Sequence, residues 1–164
     1  MMDILKSDKI IYKLFAITLS IMTPIILLSF YGYSESISSY WKTEFRPLFI
    51  FTNAVTSYYL FSNPKWKIPS SLLLLLTCFS VDDYLFIHNV LAVAFFITSF
   101  LTILINKRYS FYAIPYLCSL FWLKIPDILV AEIIAVYILS LFHLSELLHF
   151  VIINNKRKKI KKES

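Results

Sequence analysis

Six apolar runs constrain this chain more than any other feature. They lie at about residues 14–31, 47–61, 68–81, 85–105, 109–123 and 128–153, separated by short polar turns. Runs of roughly 17–25 apolar residues match the hydrocarbon thickness of a bilayer. Backbone polar groups immersed there must be satisfied within the segment, so each run is expected to be a helix. The chain is 59% hydrophobic, above the roughly 45–50% of soluble domains, and the excess sits in the runs. The fold class expected is therefore all-α: a polytopic membrane protein, a six-transmembrane-helix bundle over residues 1–153, with a basic tail at 154–164 and no autonomous soluble domain. The run at 68–81 would rise only about 21 Å, short of a core about 30 Å thick. Trp66 and Tyr84 are accordingly expected at its interfaces.

Charge orients the bundle. With the N-terminus inside, Lys6, Lys9, Lys13, Lys65, Lys67, Lys107, Arg108 and the six cations of the tail fall on the inner side. Lys42, Arg46 and Lys124 alone fall outside. The positive-inside rule then places both termini in the cytoplasm. The tail NNKRKKIKKES carries Lys156, Arg157, Lys158, Lys159, Lys161 and Lys162 and much of the +6 net charge. Directly after a span, such a cluster reads as contact with anionic lipid head groups, not as a nucleic-acid site. Lys161-Lys162-Glu163-Ser164 also fits a KKxx retrieval signal. The expected location is the bacterial inner membrane or, for a eukaryotic chain, the endoplasmic reticulum and endomembranes.

Topology converts the polar residues into depths. The stretch VDDYLFIHNVLAVAFFITSF, residues 81–100, opens with Asp82 and Asp83 and carries His88 and Asn89 just inside its apolar part. Ionisable groups within a span are functional-site candidates by default. His88 would lie about 5 Å below the outer end and Glu132 about 6 Å, on two helices running the same way. Two readings follow: a His88–Glu132 pair forming a shallow ligand or ion site with Asp82, Asp83, Asn89 and the rim residue Asp127, or side chains that snorkel independently to the interface. Further along the last run, Glu132, His143 and Glu146 fall within roughly 60° of one face. That face should line the bundle interior, as packing contacts, a water-filled cavity or a ligand site. Thr52, Asn53, Thr56 and Ser57 are likewise expected to face other helices.

The same depths exclude chemistry. The segment LSELLH, residues 144–149, resembles the closing histidine motif of the alkaline ceramidases and the hemolysin/adiponectin-receptor families, whose zinc is held by three histidines. Zinc needs its nitrogens about 2.0–2.1 Å away. Here His143 lies about 18 Å deeper than His88, and His149 about 9 Å deeper again. Bis-histidine haem ligation fails on the same ground. Cys78 and Cys118 are far apart inside apolar runs and read as small hydrophobes. The chain has no glycine-rich phosphate loop, GxSxG elbow or HExxH motif.

A family resemblance rests on Ser34-Glu35-Ser36-Ile37 after the first run, on His88-Asn89 leading through Ala92 and Ala94 to Phe95-Phe96, and on Ala131-Glu132 early in the last run. In these features the chain resembles the damage-regulated autophagy modulator (DRAM) proteins and their fungal and bacterial relatives. The family's glycine after the histidine is absent, with Val90 and Leu91 in that region. The resemblance implies a six-span, non-enzymatic membrane protein without a cofactor, acting through lipids or partner proteins. The leading expectation is thus a membrane protein working through lipid, a partner protein or a second copy of itself, as the membrane subunit of a larger complex. A small channel or transporter subunit using the polar face of the last helix comes next, and a membrane-embedded lipid hydrolase third.

Overall fold

A computed structural model describes the backbone of residues 2–121 and 128–163, with side chains for 10–60, 62–120 and 128–156. Among the described residues the fold is all-helical. Its α-helices are α1 (Met2–Tyr31), α2 (Arg46–Phe61), α3 (Lys67–Cys78), α4 (Leu85–Ile105), α5 (Ala113–Phe121) and α6 (Ile128–Glu163), with short 3-10 segments at Ile37–Lys42, Pro64–Trp66 and Ser110–Tyr112. Three helices are long and apolar enough to cross a membrane: Ile10–Tyr31, Leu85–Ile105 and Ile128–Lys156. The others are shorter. α2 has 16 residues and α3 has 12, about 24 and 18 Å at 1.5 Å per residue. The expected turn at 124–127, including Asp127, lies outside the described residues. So do the side chains of Arg157, Lys158, Lys159, Lys161 and Lys162, while Lys156 is exposed. The backbone of α6 continues as helix into the basic stretch, through 154–163.

Local chemistry sets the breaks. Gly32, at φ +75°, closes α1 with its N–H on the Leu28 carbonyl, a left-handed cap that favours glycine. Asn63 caps the Pro64–Trp66 turn by accepting the Lys65 N–H at 3.1 Å. This turn swings the Trp66 indole inward, so the residue expected at an interface is instead 1% exposed, packed on Phe142 and His143. Tyr84, in contrast, is half-exposed at the entry to α4.

Each helix packs on the next in sequence, and α6 returns to α1, closing a ring. Two hydroxyl pairs fix the direction of α1 against α2: Ser20 with Thr56 at 2.9 Å and Thr23 with Thr52 at 2.7 Å, one number rising as the other falls. Ser57 and Ser70 exchange hydrogen bonds across the next turn, each hydroxyl donating to the other's carbonyl. The main core joins α3, α4, α5 and α6 around Trp66, Phe95, Ile103, Tyr116 and Phe142; a smaller one, Leu27, Tyr40 and Leu129, sits beneath the loop after α1. On α4 the buried residues His88, Phe95, Ser99 and Ile103 share one face. Phe86, Val90, Val93, Ile97, Leu101 and Leu104 form the exposed stripe opposite. The inner face thus carries His88 and Ser99 among apolar residues, and the stripe opposite is apolar.

Candidate functional site

The ring has two polar ends. At the loop end, the segment 36–38 inserts between α4 and α6. Glu132 accepts the Ile37 backbone N–H at 2.7 Å. His88, buried at 1% exposure, places Nε2 2.9 Å from the Ser38 hydroxyl and Nδ1 2.8 Å from the Phe79 carbonyl oxygen. A carbonyl only accepts, so Nδ1 carries a proton, and Nε2 of the neutral ring accepts from Ser38. His88 and Glu132 thus each hold their own residue of one loop, Ser38 and Ile37. The intervening chain takes the place expected for a direct pair, because an N–H and a hydroxyl satisfy the two buried groups.

The rim residues have separate employments. Asp83 accepts from the Ser80 hydroxyl at 2.8 Å while its own N–H donates to that oxygen at 3.0 Å, closing the turn before α4. Asp82 pairs with Lys42 at 3.1 Å on the surface. Asn89 is exposed and faces away from His88. Tyr40 donates to the Gly32 carbonyl at 2.7 Å, and burial pushes its phenol above the usual tyrosine range.

At the opposite end, near Lys13, Glu146 is the hub. Its Oε1 accepts from Asn106 Nδ2 at 3.0 Å, and its Oε2 lies 3.6 Å from Lys13 Nζ and 3.4 Å from His143 Nδ1. Lys13 also sits 5.3 Å above the Tyr59 ring. His143 is 6% exposed, its ring 4.5 Å from that of Trp66, and neither nitrogen has a hydrogen bond to the protein among the described residues. The approach to Glu146 lacks the geometry of one. Tyr109 and Tyr112 secure this stretch of α6 through the Ser145 carbonyl and hydroxyl.

Between the two ends lies a recess, open on one side, walled by α1, α2 and α6 with Trp66, Leu73 and Phe95 behind. Water-sized atoms can occupy about 90 Å³ of it. Ile37 lies at its loop end, Tyr59 and His143 at the other. The polar face expected on the last helix is thus divided: Glu132 serves the loop, while His143 and Glu146 meet across one turn. Sequence reasoning missed Lys13, Tyr59, Trp66 and Asn106 as members of the second cluster; the one available signal was that Lys13 and Asn106 flank apolar runs at the same expected level.

No group of three or more histidine, cysteine, aspartate or glutamate side chains is placed to hold a metal ion among the described residues. Compared with family models, curated proteins and solved structures, the chain matches none. What the fold defines is a class: a protein all-helical among the described residues, three of whose described helices are long and apolar enough to cross a bilayer.

Proposed function

We propose that this chain is a six-span integral membrane protein, cytoplasmic at both ends, that acts without catalysis through lipid or a partner protein. One observation carries the reading: α1 and α2 join through inward hydroxyl pairs, while the outward stripe of α4 from Phe86 to Leu104 is built of large apolar side chains. Phe86, at 81% exposure, and Tyr58, at 79%, stand on outer faces. In water such a surface would be an aggregation hazard, whereas in lipid it is the expected one. The short helices α2 and α3 fit a bilayer thinned locally around them, with flanking polar residues reaching to the interface. The excess of cations near Lys13, Lys65, Lys67, Lys107, Arg108 and the tail supports the inward orientation of that end. The resemblance to the DRAM proteins supports the same layout.

The polar groups at the loop end also favour a non-catalytic role. His88 has both ring nitrogens engaged and Glu132 holds a backbone N–H, so using either as a base or ligand would release the loop. Anionic lipid head groups along the tail are the proposed contacts of Lys156 to Lys162. A second reading, a small transporter subunit, draws on the Lys13–Glu146–His143 cluster beside the recess. Both readings are tested by membrane integration and cysteine-accessibility mapping, followed by purification in lipid nanodiscs and identification of bound lipids and proteins. Extraction of the chain at alkaline pH, or accessible cysteines mid-span, would remove the membrane reading. Glu146→Gln abolishing solute flux in vesicles would favour transport over scaffolding.

A further inference from the structure

We infer that the recess between α1, α2 and α6 binds one small uncharged carboxamide, paired edge to edge with the side chain of Asn53. This goes beyond the function proposed above and rests on its membrane reading.

Helix geometry brings Asn53 there. On α2 it shares one face with Phe49, Thr56 and Leu60, and all of them line the recess. Phe51 and Tyr58, exposed residues of α2, stand on the opposite side. In level Asn53 lies between the Thr23–Thr52 and Ser20–Thr56 pairs. The residue is half-buried. Among the described residues neither its amide nitrogen nor its amide oxygen has a hydrogen-bond partner, and neither is closed off as the His143 nitrogens are.

The polar groups around it are engaged. Ser20 donates to the Ala16 carbonyl at 2.9 Å, so Thr56 is the donor in its pair with Ser20, and no hydrogen of that pair is left over. Thr23 and Thr52 bond each other at 2.7 Å, and Ser140 donates to the Val136 carbonyl. Much of the remaining wall is apolar, with Leu60, Leu73, Val136 and Leu139. Polar groups in such surroundings are nearly always satisfied, and one left bare is costly. The Asn53 amide therefore calls for a ligand group.

Space and chemistry select that group. The recess offers about 90 Å³, which at roughly 30 Å³ per water is room for about three waters or one solute of about four or five non-hydrogen atoms. Acetamide and propionamide are of that size. A side-chain amide presents a donor and an acceptor side by side. A second primary amide meets both in one flat pair and turns its short alkyl end toward Leu73 and Leu139. A hydroxyl makes one well-directed bond and leaves the other amide atom bare. A carboxylate or ammonium would give up its hydration without gaining a counter-charge, since Lys13 and Glu146 already hold each other at 3.6 Å.

The test uses the full chain in nanodiscs, labelled with nitrogen-15 on asparagine, and follows the side-chain amide signals by NMR during titration with propionamide. The expected result is a saturable shift of the Asn53 signal, half complete at about 1–50 mM for so small a ligand, while the signal of exposed Asn89 moves no more than linearly. Propanol and, at neutral pH, propionate should shift Asn53 at least about fivefold less at equal concentration. Asn53→Leu should weaken the cross-relaxation between the propionamide methyl group and the Leu73 and Leu139 methyl groups by about the same factor. Val136→Phe, which narrows the recess from α6 and leaves Asn53 in place, should abolish the shift, and it keeps a readout if Asn53→Leu does not fold. An Asn53 signal that moves as strongly with propanol or propionate, or no effect of Asn53→Leu in a folded chain, overturns recognition through the amide. A shift that never saturates, or that survives Val136→Phe in a folded chain, overturns the site. Failure of the chain to integrate into membranes is a separate outcome, read before titration, and overturns the membrane reading itself.

Discussion

His88 and Glu132 should be energetically coupled although they do not touch. Glu132→Ala removes the acceptor of the Ile37 N–H, a bond to a carboxylate at 2.7 Å, at a cost of about 1.5–3 kcal/mol. His88→Ala removes two hydrogen bonds, to Ser38 and to the Phe79 carbonyl, about 1–3 kcal/mol together. Each change also leaves a small cavity, a contribution that cancels in a double-mutant cycle. The two clamps hold neighbouring residues of one short segment, so releasing either lets that segment recover part of its backbone freedom, worth about 1–2 kcal/mol per residue. Once one clamp is gone the other restrains less. The double variant should accordingly lose about 0.5–2 kcal/mol less than the sum of the singles. The assay is reversible unfolding in bicelles, with maleimide labelling of Lys42→Cys as an independent report on the loop. His88→Ala combined with Glu146→Ala, at opposite ends of the ring, provides the additive control. Additivity of His88 and Glu132 within about 0.5 kcal/mol, with the control equally additive, would refute the idea of a shared clamp.

Three further outcomes follow from the geometry. Glu146→Ala strands Lys13 and the Asn106 amide and should destabilise by about 3 kcal/mol, whereas Lys13→Met with Glu146→Leu should recover most of that in the same unfolding assay. Thr23→Val alone leaves the Thr52 hydroxyl without its partner at 2.7 Å and should cost about 1–2 kcal/mol; Thr23→Val with Thr52→Val should come close to wild type. Tyr40 has its pKa raised by burial in the folded chain, so its contribution is fully present below the unfolded value of 10.0 and is lost as pH rises through the folded one. Wild type should therefore exceed Tyr40→Phe in stability at pH 8, and the margin should shrink or reverse at pH 11.

The sequence announced helices through run length, since that depends on properties that sum over many residues. It also placed Thr52, Thr56 and Ser57 on helix-facing positions, because hydroxyls spaced three or four residues apart inside an apolar run have few other destinations. His88 and Glu132 stood out in the sequence as ionisable residues early in apolar runs. Their partners did not. Ile37 contributes a backbone N–H, and Phe79 a backbone carbonyl, groups every residue possesses and no residue type betrays. Trp66 was misplaced because its identity suits an interface, whereas a capped turn of three residues decides which way the ring points. Asn89 illustrates the converse, since a neighbour of His88 in sequence is turned about 100° from it on a helix and here reaches the exposed side.

The ring closed by α6 on α1 has a bearing on how the chain is assembled during synthesis. α1 finds Thr56 and Thr52 only 36 and 29 residues later, so the first hairpin can settle while translation continues. The loop at Ile37 must wait a further 95 residues for Glu132, and Lys13 longer still for Glu146. Until the last helix emerges, Lys13 stands in the nascent bundle without its counter-ion and the mouth of the ring is unlatched. An interrupted chain would carry that charge unpaired along an open seam, which only the last helix can close.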